Sequence, residues 1–453
     1  MRLSELAGKR VAVWGYGREG RAALAALRRR LPRQPLTLLC SVTEAAQAEA
    51  DANLAIFTDA ADAAALARFD VVIKSPGISP YRPAVREAER AGVRFTSGSA
   101  LWFAEHAGAR TICVTGTKGK STVSALIAHV LRESGKCVAL AGNIGLPLLE
   151  LLDPEREPDW WVIELSSFQT RDFAGAPTVA VITNLYEEHL DWHGSRERYI
   201  ADKLAIAARA QALVVNAAQP ELLDRTSRHA HRATFATAAG WHVAGDAVCC
   251  GSHRVLALSE LPLPGAHNAQ NACAALAAIE SAGMDARAMA PGVHSFKPLP
   301  HRLQTLGKRD GIRYVNDSIA TTPYATIEAL RSLDAGATTV LVGGFDRGLD
   351  WSAFVTHIAR HPPRAVVTLG ANGAAIAAAL RGVKGFAMRS VRTLGDALAC
   401  ARTLTPAGGT ILLSPGAPSF DQFHDYAERG REFARLAGFD PATIAQVEGL
   451  GIA

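Results

Sequence analysis

The chain has 453 residues, 49% of them apolar and 20% charged, the balance of a globular protein with ample core and roughly two to four domains. Its formal charge of +5 is small for that length, and Lys and Arg are scattered rather than blocked, so a nucleic-acid partner is not expected. A mild positive balance does suit anionic ligands such as nucleotides.

The N-terminus holds no apolar stretch long enough for a signal peptide, and no run of about eighteen apolar residues follows, so no membrane span is expected. The seven cysteines form no C-x-x-C pair, and several lie in apolar runs. They read as reduced, mostly buried thiols of a cytoplasmic protein.

Residues 1 to about 107 alternate strand and helix signals. Val11–Trp14 is a strand, Gly15-x-Gly17-x-x-Gly20 follows, and an Ala/Leu/Arg helix runs to about Leu31. That order fits a Rossmann-like first turn. The acidic residue expected after the second strand is missing, because Leu36–Cys40 is followed by Ser41. A nicotinamide dinucleotide is therefore disfavoured, while a diphosphate of another kind still fits. The loop carrying Ser75 and Gly77 ends the strand Val71–Ile73. It reads either as a second ligand loop or as a tight turn with structural glycines.

Residues 108 to 299 begin with a strand at Thr111–Val114, then Gly116-Thr117-Lys118-Gly119-Lys120-Ser121-Thr122, then a helix pattern from Ser121 to Ser134. Strand, glycine turn, Lys-Ser and helix make a phosphate cradle. Backbone N–H groups and the helix N-terminus face the phosphates, Lys120 reaches the β- and γ-phosphates, and Ser121 holds Mg²⁺. The Gly-x-x-Gly-Lys-Ser spacing is two residues shorter than the common P-loop. Further strands are Cys137–Leu140, Trp160–Glu164 and Val179–Thr183. Asn143, Glu164, Ser166, Gln169, Asn184 and His189 lie at or after their carboxyl ends, where parallel sheets bind ligands.

His189 and His193 are four residues apart, but Leu190 stands where a zinc H-E-x-x-H would need glutamate, and Gly194 interrupts the helix. Zinc is not expected. The helix Ser195–Ala210 carries Lys203 among Ala, Ile and Leu, and a solvated helix lysine is the ordinary reading of such a residue. Short strands follow from 211 to 260. His267, Asn268 and Asn271 then open an Ala-rich helix. A helix cap accounts for one of these three polar residues, not for all.

After a linker at Pro298–Pro300, His301-Arg302 opens a third set of strand–helix units. Gly311–Val315 ends in Asn316-Asp317-Ser318, Thr339–Val342 ends in a Gly343–Gly348 loop, and Ala365–Leu369 is a further strand. Thr410–Leu413 leads to Ser414–Phe423 and a final amphipathic helix. Their polar ends mark a second ligand face.

Taken in order along nearly the whole chain, TGTKGKST, ELSSFQ, Lys203, PGAHNAQN, HR, YVNDS and LSPGAPSFDQF resemble the Mur ligase family. The resemblance implies an α/β, three-domain architecture. A Rossmann-like UDP-binding domain (1–107) precedes a P-loop ATPase-like domain (108–299) and a Rossmann-like amino-acid-binding domain (300–453). Within the family, ELSSFQ, the GG-D-R-G loop and the terminal DQF segment resemble the MurD branch. That branch adds glutamate to UDP-N-acetylmuramoyl-L-alanine in peptidoglycan synthesis.

The resemblance also implies roles. Gly116 to Thr122 hold ATP phosphates, Asn268 and Asn271 contact the adenine side, and Arg302 and Asp317 close on the nucleotide. Two Mg²⁺ ions are implied, one on Ser121 and Glu164 and one near His189. Lys203 matches the lysine that the family carbamylates with CO₂, which turns a cation into an anionic metal ligand. Gly15, Gly17, Gly20, Ser75 and Gly77 hold the UDP part, and Asn143, Ser166 and Gln169 line the sugar and lactoyl-alanine. Thr321, Arg347, Ser414, Phe420 and Phe423 fall to glutamate. The implied reaction activates the alanine carboxylate as an acyl phosphate, which the glutamate amine then attacks. A monomer is expected.

Three positions depart from the family pattern. Ile319 stands where D-glutamate-adding enzymes have a pocket lysine, the 414–419 loop differs from their usual type, and Lys118 replaces a common Asn. Inverting Cα chirality swaps which pocket wall meets the α-carboxylate, and such a swap requires moving a cation and reshaping a loop. The pattern is most similar to the branch that adds L-glutamate. The alternatives are D-glutamate addition with Arg347 compensating, and, more remotely, a folylpolyglutamate-synthetase-like ligase.

Overall fold

The structure is a computed structural model that describes residues 1–49, 51–59, 61–263, 265–444 and 449–453. Pro264, which opens the PGAHNAQN motif, lies outside them. Two compact units result. One comprises Met1–Pro262, His267–Phe296 and Gly449–Ala453, the other Leu263–Ala266 and Lys297–Glu448.

The first sheet contains β1 (Val11–Trp14), β2 (Leu36–Leu39), β3 (Leu54–Phe57), β4 (Val71–Lys74) and β5 (Arg94–Thr96). Its order is β3-β2-β1-β4-β5, and every pair is parallel. The second sheet is built on β6 (Thr111–Thr115), β7 (Val138–Gly142), β8 (Trp160–Glu164), β9 (Val179–Ile182), β10 (Ala212–Asn216) and β11 (Arg232–Phe235). It is extended by β12 (Trp241–Ala244), β13 (Ala247–Cys250) and β14 (His253–Ala257), which run as an antiparallel meander. The inner strands of this sheet are continuous apolar runs because helices cover both faces, which leaves no face for polar alternation.

The first two sheets share one hydrophobic core. Trp102, on the helix Gly98–Glu105, meets Trp161 of β8 with ring centroids 4.6 Å apart, and Leu27, Leu101, Leu149 and Ile163 join the same cluster. The position expected as a domain boundary, residue 107, therefore separates two sheets but not two cores.

The second unit holds β15 (Gln304–Arg309), β16 (Ile312–Asn316), β17 (Thr338–Val342), β18 (Ala365–Thr368), β19 (Ala387–Ser390) and β20 (Thr410–Leu413). Their order is β15-β16-β20-β17-β18-β19, parallel except for the β15–β16 hairpin. The tail does not stay with this sheet. β21 (Gly451–Ile452) pairs antiparallel with β7 in the first unit, and Arg132 donates to Gly451 O at 3.1 Å. Residues 449–453 thus group with the first unit.

Helix limits differ from the sequence pattern by little. The helix expected from Ser195 to Ala210 covers Arg196–Leu204 and relaxes to a 3-10 turn at Ala205–Ala207. The turn after β1 depends on a side-chain-free residue, because a Cβ on Gly20 would stand 1.9 Å from Gly15 O. Gly20→Ala should therefore cost about 1–3 kcal/mol in thermal or chemical unfolding, as overpacking against rigid backbone does. Gly17→Ala, whose added methyl meets open space, should cost less than about 1 kcal/mol. Equal effects would show that this close approach is not what the turn depends on.

Candidate active site

The phosphate cradle forms where β6 passes into the helix Lys120–Glu133. Gly116 and Gly119 sit at φ +142° and +83°. A Cβ on Gly116 would lie 1.9 Å from Thr183 Oγ1, and one on Gly119 would lie 2.4 Å from Asn271 Oδ1. Both conformation and space thus exclude side chains at these points.

Side chains from the next strand's end hold the loop open. Asn184 Oδ1 accepts from Thr117 N (3.1 Å) and Lys118 N (2.8 Å), and its Nδ2 donates to Lys118 O (3.0 Å). Thr183 Oγ1 donates to Lys118 O at 2.6 Å. Thr117 Oγ1 meets Tyr199 Oη at 2.6 Å and accepts from Tyr186 N. Lys120 Nζ donates to Thr117 O at 2.9 Å, so the ammonium lies over the loop. Lys118 makes an ion pair with Glu188 at 2.6 Å, a contact that gives this departure from the family pattern a local partner. Ser121 and Thr122 open the helix and are buried, and Asn271 donates to Asn268 Oδ1 at 3.2 Å beside Gly119.

Two buried ionisable groups flank the cradle. Glu164 ends β8 at 1% exposure, with Oε1 accepting from Asn143 Nδ2 at 2.9 Å. Its Oε2 has no hydrogen-bond partner among the described residues. A buried carboxylate oxygen with nothing to accept from fits a hard cation, which favours such oxygens. Among the described residues no group of three His, Cys, Asp or Glu side chains could hold a metal by itself. A Mg²⁺ here would complete its shell with phosphate and water, as it ordinarily does.

Lys203 is not a solvated helix lysine. It is 2% exposed, and its Nζ donates to Gly116 O at 2.8 Å. Burial pushes the amine well below the usual lysine range, and the Lys120 charge pushes the same way. His189 occupies a left-handed conformation (φ 57°), is exposed, and faces Phe168 at 4.9 Å. His193 is a core residue bridging Asp202 (2.7 Å) and Ser167 (3.0 Å), so the two histidines do different things.

The ends of β1 and β4 bring Gly15, Gly17, Gly20, Ser75 and Gly77 together. Ser75 N donates to Trp14 O, and Ser75 Oγ meets Gly15 O at 3.4 Å. Ser166 caps the short helix Ser167–Arg171. Gln169, expected to line the substrate, is 2% exposed. Its amide oxygen accepts from Ser166, and its amide nitrogen donates to Glu19 at 3.1 Å. That position makes it a brace between the first two sheets. Burial raises the Glu19 carboxyl to about 7.

In the second unit, Asp317 and Ser414 meet at the ends of β16 and β20, with Ser414 Oγ donating to Asp317 Oδ2 at 2.7 Å. Asp317 also accepts from Leu303 N, beside Arg302. Arg347 lies over the Phe420 ring at 5.8 Å, and both are exposed. Phe423 packs against the unit's core, unlike Phe420. Thr321 precedes the helix Pro323–Arg331. Sequence reasoning missed Arg429, 2% exposed and donating to Ser318 Oγ and O. It also missed Thr183, Tyr199 and Glu188. Asn184 was visible as a strand-end polar residue, but nothing in the sequence marked its three bonds to the loop.

Residues 114–279 match the Mur ligase middle domain, and residues 301–416 match the Mur ligase, glutamate ligase domain. Over 100% of both chains the sequence is 52% identical to a UDP-N-acetylmuramoyl-L-alanine–L-glutamate ligase of Xylella fastidiosa (strain Temecula1). It is 41% identical to a protein of the same name from Salinispora tropica, covering 96% of this chain and 98% of that one. Among solved structures, UDP-N-acetylmuramate–alanine ligase from Thermotoga maritima superposes with TM-score 0.61 at 19% identity, covering 95% of this chain and 99% of that one. A Mycobacterium tuberculosis folylpolyglutamate synthase complexed with ADP gives 0.58 at 18%, covering 75% and 93%. At such identity these two share the fold alone.

His301 yields a pH prediction. Burial, with Arg431 adding to it, lowers the imidazole from 6.5 to about 4. The unfolded chain therefore binds the proton first, and stability falls as pH drops from 6.5 towards 4. Unfolding titrations across that window should show His301→Asn losing about 2 kcal/mol less than the parent. An unchanged pH slope would mean that His301 is not held neutral.

Proposed function

The chain belongs to the Mur ligase family, and from that premise we propose that it joins L-glutamate to UDP-N-acetylmuramoyl-L-alanine at the expense of ATP, in peptidoglycan precursor synthesis. The observation that carries this reading is the buried Lys203 amine on the phosphate-loop carbonyl of Gly116, together with a Glu164 oxygen that has no hydrogen-bond partner among the described residues. Full-length likeness to L-glutamate ligases selects the amino acid.

In this reading the cradle from Gly116 to Thr122 grips the ATP phosphates. Lys120 offsets the charge that spreads over the transferring phosphoryl group. The alanine carboxylate of the UDP-linked substrate attacks the γ-phosphorus, ADP leaves, and an acyl phosphate forms. The amine of L-glutamate attacks its carbonyl carbon, a proton is lost, and phosphate leaves with the C–O bond. Activation is required because a carboxylate is a poor acyl donor. Asn268 and Asn271 are assigned to the nucleoside, and Arg302 and Asp317 to the nucleotide. Ser414, Thr321, Arg347 and Phe420 are assigned to glutamate.

Mg²⁺ would be held by Ser121 and Glu164 and would shield phosphate charge, with a second ion near His189. The neutral amine that burial favours at Lys203 is the form that adds CO₂. A carbamate there would present oxygen to that second ion. None of the described helices is long and apolar enough to cross a membrane. We place the protein in the cytoplasm as a monomer, with its three sheets divided near residues 107 and 299.

Phosphate release with UDP-N-acetylmuramoyl-L-alanine, ATP and each glutamate enantiomer tests the reading. Turnover with L-glutamate and none with D-glutamate is expected, and the reverse would overturn the choice of enantiomer. Isotope-labelled bicarbonate should give a carbamate NMR signal that Lys203→Ala removes. Persistence of that signal in the variant would place the carbamate elsewhere.

A further inference from the structure

No acid follows β2 in the sequence, yet the fold brings one to its end. Ser41 caps the short helix Val42–Ala45, accepting from Glu44 N at 3.3 Å. Glu44 answers with Oε2, which accepts from Ser41 N (2.9 Å) and Ser41 Oγ (3.0 Å). This reciprocal box turns the carboxylate back towards the strand end. Its other oxygen, Oε1, accepts from Tyr16 N at 2.9 Å, in the middle of the Gly15–Gly17 turn after β1. Since β1 and β2 are parallel neighbours in register, the carboxylate bridges their carboxyl ends.

Its surroundings favour the charged form. Burial pushes the carboxyl up, but the Ser41 and Tyr16 N–H donors, with Arg21 nearby, hold it below the usual range. Arg21 itself donates to Tyr16 O at 3.0 Å. An ionised carboxylate offers about four acceptor positions. The three donors named above occupy three, so among the described residues one remains. Val42, beside it, is 71% exposed and offers an apolar seat.

In a strand–glycine turn–helix unit, a diphosphate rests on the turn and its ribose lies over the end of the neighbouring strand, where an acid receives the 2′-hydroxyl. We propose that Glu44 is that acid here, accepting the ribose 2′-hydroxyl of the nucleoside-diphosphate part of the substrate. The inference rests on the reading above that the substrate is UDP-linked. It also accounts for a residue that strand-end counting misses: the acid is displaced three positions from Ser41 and returned by one helical turn.

The test compares UDP-N-acetylmuramoyl-L-alanine with its 2′-deoxyuridine analogue, using the parent protein and Glu44→Ala. The parent should lose about tenfold in kcat/KM on the deoxy substrate, as for a hydrogen bond to a charged group. Glu44→Ala should lose a similar factor on the ribo substrate yet treat the two alike, with KM for ATP and glutamate unchanged. A purely structural role would weaken both substrates by one factor and keep the parent's ribo-to-deoxy ratio, and that result overturns the proposal. If the parent turns over no UDP-linked substrate, the wider reading fails separately. Calorimetry with UDP and 2′-deoxy-UDP then decides on Glu44 by the same ratio.

Discussion

The central constraint is the conformation of a six-residue turn whose own polar groups cannot be satisfied by regular secondary structure. Residues 116–121 leave the sheet at β6 and enter a helix at Lys120, and the N–H groups of Thr117 and Lys118 both donate to Asn184 Oδ1. Such a loop keeps its shape without a ligand only if something else takes up its remaining donors and acceptors. Asn184 and Thr183 hold Lys118, Tyr199 and Tyr186 hold Thr117, and Lys203 holds Gly116. Two separate segments, the stretch after β9 and the helix Arg196–Leu204, therefore converge on one short turn, and phosphate binding need not pay for ordering it.

The same convergence places charge where it is unfavourable without a ligand. Glu164 and Lys203 are both almost fully buried, and one oxygen of the first lacks a partner among the described residues. A fold selected for stability alone would satisfy or remove such groups. Their retention beside a phosphate cradle fits a site that exists to hold anionic phosphates and a cation. The low lysine basicity follows from the same burial, so the chemistry available at Lys203 is a consequence of packing and not a separate device.

Much of this was legible in the chain. Continuous apolar runs bounded by glycine or polar residues located the central strands, because parallel strands covered on both faces have no solvent side to mark. The cradle was legible because its glycines and Lys-Ser must be adjacent in sequence. Features made by distant segments were not. The tail strand Gly451–Ile452 is two residues long, and its partner β7 lies far earlier in the chain, so no local pattern announces it. Trp102 lies on the helix Gly98–Glu105 that follows the first sheet and Trp161 lies in the second sheet, and only their contact reveals one core. Gln169 closes a capping box with Ser166 and reaches Glu19 of an earlier helix, and Glu44 looks like a solvated helix residue until its helix turns it onto Tyr16.

The account stands or falls on whether this turn makes a carboxyl group reactive through phosphoryl transfer. Single-turnover amide formation by Lys120→Ala, with binding of the UDP-linked substrate followed by calorimetry, asks that most directly. The account predicts that substrate still binds while amide formation falls at least about a hundredfold. Amide formation at the parent rate would contradict it.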